Sequence, residues 1–193
     1  MTRVAALYVD PRGPYPLMQD VDCWDEARDA RRYNGLQPVV AHPPCGPWGR
    51  LKHLYQGSEH DCALRALEQV RKCGGVLEHP AHSGLWAARK LPLPGELMTD
   101  GCGLTIQVDQ VRWGHVARKR TWLYLVGVRA PITLPPDRKP THWIGGSRFR
   151  AGISERPSDH IRAGIKACSH EQARRTPPAF AEWLVSLARS VGT

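Results

Sequence analysis

An α/β fold built on a mostly parallel, doubly wound sheet is what this 193-residue sequence predicts. Three observations lead there. Short apolar runs alternate with helix-like segments through the first half, the order of strands and crossovers in parallel sheets. Those runs are short and are bounded by Gly, Pro, Asp and Asn, which marks them as strands. The length suits one domain spanning 1–193, and 41% hydrophobic against 23% charged residues indicates a globular chain.

Residues 4–9 (VAALYV) read as the first strand, closed by the turn Asp10-Pro11-Arg12-Gly13-Pro14. Residues 24–33 carry helix formers with charges at i,i+4 and stop at Asn34-Gly35, so a helix is expected. Residues 38–41 predict a buried strand. Residues 61–73 predict an amphipathic helix with Asp61 as its cap and Gly74-Gly75 as its stop. Residues 76–78 follow as a strand entering His79-Pro80. The Pro- and Gly-rich residues 91–103 read as loop. Residues 105–113 and 121–128 read as paired strands. Residues 131–158 are irregular and basic. Residues 177–190 close the chain as a helix, with Thr176 as N-cap and two prolines in the first turn.

The formal net charge of +9 favours a polyanionic partner, most simply nucleic acid, with a generally basic surface as the plain alternative. Residues 139–150, basic with Trp143 and Phe149 interleaved, suit such a contact. The six cysteines form no CxxC pair and are expected as reduced thiols. Cysteines and histidines do not fall at zinc-ligand spacings, so no metal is expected. No apolar run is long enough to span a bilayer, and the first apolar stretch is too short for a signal peptide. A cytoplasmic protein without membrane partners is expected.

Residues 40–48 read VAHPPCGPW. Pro43 and Pro44 have fixed φ and no N–H, so the strand must end there and the turn displays Cys45. Ligands of open α/β sheets sit beyond the carboxyl ends of the strands, where Asp10, Cys45 and Glu78 are all expected. A cysteine nucleophile needs nearby positive charge, and Arg118-Lys119-Arg120 offers it. A desolvated carboxyl such as Glu78 can hold a proton and give it to a ring nitrogen. Arginines hold phosphate or carbonyl oxygens in fixed geometry. Together these parts suit covalent attack on an electron-poor pyrimidine. The plain reading of each is a loop cysteine, a capping carboxylate and an exposed turn. Trp48, three residues past Cys45, is the tryptophan best placed to stack on a base; core packing is the commoner fate of the type.

This ordered set resembles the DNA (cytosine-5)-methyltransferases. In that family a Pro-Pro-Cys turn follows one strand. A Glu-Asn-Val or Glu-Asn-Pro segment follows the next, and Gln-x-Arg-x-Arg leads into an apolar strand. Here Pro43-Pro44-Cys45, Glu78-His79-Pro80 and Arg118-Lys119-Arg120 occur in that order. The resemblance implies a truncated, Rossmann-like methyltransferase fold, S-adenosylmethionine as methyl donor, and DNA as substrate. It implies that Cys45 attacks carbon 6, that Glu78 engages ring nitrogen 3 and the exocyclic amine, and that Arg118 and Arg120 position the base or its phosphate. Pro44, Trp48, His79 and Lys119 would line the substrate. Asp10 and Gly13 would lie under the cofactor, with Asp22 and Trp24 in the acidic ribose-binding segment. The cytosine must be flipped out or single-stranded to be reached.

The chain also departs from the family. Residues 7–15 (LYVDPRGPY) replace the Phe-x-Gly-x-Gly loop, Val116 stands for the Gln, His79 for the Asn, and Gly46 follows the cysteine. Residues 131–175 form an irregular basic insertion, too short for a full target-recognition domain. A compact enzyme of the kind carried by phages or prophages is expected. Two other readings follow from the same residues: cytosine modification or deamination without the methyl donor, on DNA or a free nucleotide, and a DNA-binding relative without catalysis.

Overall fold

The computed structural model describes residues 2–49, 52–144 and 164–192. Strands β1 (Val4–Leu7), β2 (Val21–Trp24), β3 (Val39–Ala41), β4 (Gly75–Pro80), β5 (Leu104–Asp109) and β6 (Arg120–Val126) form one sheet in the order β2-β1-β3-β4-β6-β5. β1 to β4 are parallel, and β6 is antiparallel to both β4 and β5. β5 therefore points the same way as β1–β4, and β6 alone is reversed. The architecture is α/β with a mostly parallel sheet, compatible with a Rossmann-like fold. The chain steps from β1 to β2 on one side and then crosses to β3 on the other, leaving the crevice at the carboxyl ends of β1 and β3.

β1 and β3 are buried along their whole length, so they read as unbroken apolar runs without alternation. Helix α1 (His60–Cys73) covers the face formed by Ala5, Leu7, Val39, Ala41, Leu77 and Tyr124. The last long helix, Pro178–Arg189, covers the opposite face, formed by Val4, Ala6, Val40, Val76, Leu123 and Leu125. Two short helices, α2 (Gly84–Arg89) and α3 (His170–Arg174), precede it, making it α4. A two-residue pair, β7 (His142–Trp143) and β8 (Lys166–Ala167), stands apart from the main sheet.

Several expectations are corrected. Residues 24–33 hold no α-helix: Trp24 ends β2, the Asp25 carboxylate accepts from Arg28 N–H, and Asp29 at φ 49° breaks the path into a three-residue 3-10 turn. Here side chain-to-backbone bonding outcompetes helix propensity. Asp61 lies inside α1, with Glu59 at the cap position. β4 extends from Gly75 to Pro80, and its start needs glycine. Gly75 sits at φ 121°, and a Cβ there would come within 2.0 Å of the Val39 carbonyl oxygen. Residues 105–113 split into β5 and a 3-10 turn that Asp109 caps. Pro177, not Thr176, occupies the α4 cap position. Of the expected insertion, residues 145–163, including Phe149 and Arg150, lie outside the described residues, and the rest of 139–150 carries little beyond β7.

Helix α2 was not legible in the sequence. Ser83 caps it by accepting from Leu85 N–H at 3.2 Å, and the same hydroxyl lies 2.7 Å from Nδ1 of His79. Ser83→Ala is expected to destabilise the protein by about 1–2 kcal/mol. The measurement is urea unfolding, where the midpoint should fall with the slope unchanged.

Candidate active site at the carboxyl ends of β3 and β4

β3 ends at Ala41, and His42-Pro43-Pro44 carry the chain to Cys45, which opens a 3-10 turn over Gly46–Trp48. Cys45 accepts Trp48 N–H at 3.1 Å through its carbonyl and is itself exposed. Gly46 lies against the Tyr55 ring, where a Cβ would meet ring carbons at 2.5 Å. Glu78 sits inside the neighbouring strand β4.

Strand alternation decides which residues meet. His42 continues the Val40 face of β3, Glu78 the Val76 face of β4, and Thr121 the Leu123 face of β6. All three lie on the α4 side. Continuing β6 backward by two places puts Lys119, not Arg118 or Arg120, on this face.

A buried chain of polar groups runs across it. The Tyr15 hydroxyl is in hydrogen-bond contact with Nε2 of His42, whose Nδ1 lies 3.0 Å from Oε2 of Glu78. Gln110 donates through Nε2 to Glu78 Oε1 at 3.1 Å and to Thr121 Oγ1 at 2.9 Å. Oε1 of Gln110 is buried without a hydrogen-bond partner among the described residues. Burial alone would raise the Glu78 pKa. The bond and charge of His42, with Lys119 and His79, outweigh it and hold the carboxyl at about 2. These contacts favour the carboxylate form of Glu78, where burial alone would favour the protonated form expected from the sequence.

Although Cys45 as a residue is exposed, protein atoms crowd its sulfur and the resulting desolvation raises the thiol pKa; Glu78 adds to the rise, and Lys119 and Arg174 offset part of it. Desolvation lowers Lys119, with Glu78 and Cys45 opposing. The Lys119 ammonium donates to the carbonyls of Arg174 and Arg175 at 3.3 and 3.4 Å, and Nε2 of His115 lies 3.1 Å from the Gln172 carbonyl. These bonds dock α3 against the site, so Arg174 joins Lys119 near Cys45. Cationic charge on two elements then faces one thiol and one carboxylate; it suits a bound anion and offsets part, not all, of the upward shift that burial and Glu78 impose on the thiol.

The other expected residues are placed differently. Arg118 turns to Asp109 and Asp137, at 3.2 and 3.0 Å, and Arg120 opens β6 on the opposite face. Neither reaches the Glu78 face. His79 has no exposed surface; it stacks on Trp86 and bonds Ser83, beneath the Pro43-Pro44 backbone, a placement that braces the cysteine turn. Trp48 packs against the α1-side core with its indole N–H buried and without a partner among the described residues. Pro44 is half-buried beside Cys45.

At the other end of the crevice, the Asp10 carboxylate accepts from Arg12 N–H at 2.9 Å, and Gly13 N–H closes the turn on the Asp10 carbonyl at 2.8 Å. Trp24 donates through Nε1 to Asp22 Oδ2 at 3.0 Å, and Arg28 to Oδ1 at 2.8 Å. The Arg28 guanidinium lies 4.0 Å from the centre of the Trp24 ring. Arg28 and Trp24 together keep Asp22 ionised against the opposing effect of burial.

Tyr15, His42, Gln110 and Arg174 were not expected at the site. His42 was legible, being two residues past Val40 on the same strand face. The others arrive from distant parts of the chain. No group of three or more His, Cys, Asp or Glu is placed to hold a metal among the described residues, and no described helix is long and apolar enough to cross a membrane. A scan against protein-family models finds no match, and a search of curated proteins finds none either.

Proposed function

We propose that this protein is a cytosine-modifying enzyme of DNA that works through a covalent adduct between Cys45 and carbon 6 of the pyrimidine, in the manner of the cytosine-5 methyltransferases. The observation that carries the reading is the meeting of Cys45, Glu78 and Lys119 at adjacent strand ends on one face of a mostly parallel sheet. Cys45 supplies the electron pair for a new carbon–sulfur bond. The pair of the carbon 5–carbon 6 double bond moves toward carbon 5 and the ring, and ring nitrogen 3 takes a proton on the Glu78 side. Lys119 and Arg174 favour the thiolate and the anionic substrate. The net charge of +9 favours DNA over a neutral partner.

The residues expected around S-adenosylmethionine do not form a cradle for it. Both Asp22 oxygens are taken by Arg28 and Trp24, and Asp10 is folded onto its own turn. Tyr15, buried after β1, is turned to His42. These placements favour a second reading, modification without the methyl donor: sulfur at carbon 6 also makes the 4-amino group labile to water.

The test is intact-protein mass spectrometry after incubation with DNA containing 5-fluorocytosine, with and without S-adenosylmethionine, followed by peptide mapping. An adduct on Cys45 is expected. One carrying methyl mass restores the donor; one without it supports the second reading. Salt-sensitive DNA binding with no adduct, on single or double strands, would replace catalysis with a binding role.

A further inference from the structure

Cytosine offers an amine donor at position 4 and an acceptor at ring nitrogen 3. An ionised Glu78 offers acceptors only. The amine pairs with it, but nitrogen 3 does not, unless a proton lies between them. The covalent reading therefore needs a proton that Glu78 does not itself hold.

We propose that His42 is the positioning residue that supplies this proton, passing it from Nδ1 through Glu78 to ring nitrogen 3 as the sulfur adds. The inference rests on the covalent reading above. His42 Nδ1 is 3.0 Å from Glu78 Oε2, with no intervening group. The other neighbour of the carboxylate, Gln110, is an amide with no proton to give. The remaining titratable groups around the pair are committed elsewhere. Tyr15 lies behind His42 with its phenol buried, and Cys23 lies beyond it. His79 points to the other face and bonds Ser83. Lys119 donates to two backbone carbonyls, and Cys45 is the nucleophile itself.

The proton balance closes. The His42 imidazolium loses Nδ1–H to Glu78, Glu78 passes a proton to nitrogen 3, and Glu78 ends as the carboxylate it began as. His42 keeps its Nε2–H on the Tyr15 oxygen. When the carbon–sulfur bond breaks, the proton returns by the same path. Tyr15 thus fixes which nitrogen carries the retained proton and holds the ring in line.

The experiment is the rate of adduct formation with a single-stranded 5-fluorocytosine oligonucleotide from about pH 5.5 to 8.5. Wild type is compared with His42→Asn, whose amide keeps the bond to Glu78 but has no proton to transfer. Alkylation of Cys45 by iodoacetamide reports thiol reactivity separately. His42→Asn is expected to slow the adduct by about 100-fold and to leave only the pH dependence that Cys45 ionisation imposes, the one that alkylation also follows, with alkylation changed by less than about threefold. A variant adduct rate within about threefold of wild type, with the wild-type profile, overturns the inference alone. If wild type alkylates normally yet forms no adduct, the covalent reading falls and this inference falls with it. Should His42→Asn show no cooperative unfolding transition, Tyr15→Phe decides. Loss of the Nε2 contact is expected to displace the pH profile, and an unmoved profile overturns the proposal.

Discussion

A Lys119→Met protein is expected to capture a 5-fluorocytosine oligonucleotide about 10²–10³ times more slowly than wild type. Two effects combine. Removing the ammonium leaves burial and Glu78 opposed only by a backbone hydrogen bond at Cys45 and by Arg174, so the Cys45 thiol rises and less thiolate exists at neutral pH. The bonds to the Arg174 and Arg175 carbonyls are also lost, which loosens α3 and withdraws the second cation. Iodoacetamide alkylation of Cys45 should accordingly need higher pH. Cys45→Ser marks the floor of the assay, with no adduct. Arg118→Ala, measured at saturating DNA, should stay within about tenfold of wild type, because its guanidinium is spent on Asp109 and Asp137. If Arg118→Ala lost more than Lys119→Met, the site's cation would be wrongly assigned.

Acid should unfold the protein in two stages, the first set by His79. This histidine is buried and kept neutral, with desolvation holding its pKa at about 4 against an ordinary 6.5. Its contribution is complete above pH 6.5. As pH falls toward 4 the unfolded chain binds a proton that the folded chain refuses, so stability drops. His79→Gln should remove most of that slope, up to roughly 3 kcal/mol. Glu78 acts lower. Its folded value of about 2 against 4.5 means stability present above pH 4.5 and lost as pH falls toward 2. Urea unfolding across this range reads both. An unchanged slope in His79→Gln would show that another group controls the first stage.

The residues that bear on chemistry were legible to different degrees. Pro43 and Pro44 announce a turn because proline forbids a strand, and Cys45 follows as a matter of covalent order. Glu78 was legible as an acid in an apolar strand. The basic triplet was legible as charge, but not as geometry. Its middle member faces the site because β6 alternates, and the phase of that alternation depends on pairing with β4. The helix expected over residues 24–33 failed for a local reason, since Asp25 bonds the backbone and Asp29 takes a left-handed conformation.

What the amino-acid order determined by itself is the class of fold, the position of the cysteine turn and the basic character of the chain. Each depends on neighbouring residues: proline's missing N–H, short apolar runs between breakers, and the excess of Lys and Arg. What only the tertiary structure decided is the company that Cys45 and Glu78 keep. His42 touches Glu78 across two strands, Gln110 reaches it from after β5, and Arg174 comes from a helix near the chain's end. Sheet order and register bring these groups together, and with them the charge state of Glu78. An isolated carboxyl in an apolar strand would be protonated by burial. The same carboxyl beside His42 and Lys119 is drawn toward the ionised form, because opposite charge and a hydrogen bond at close range outweigh desolvation.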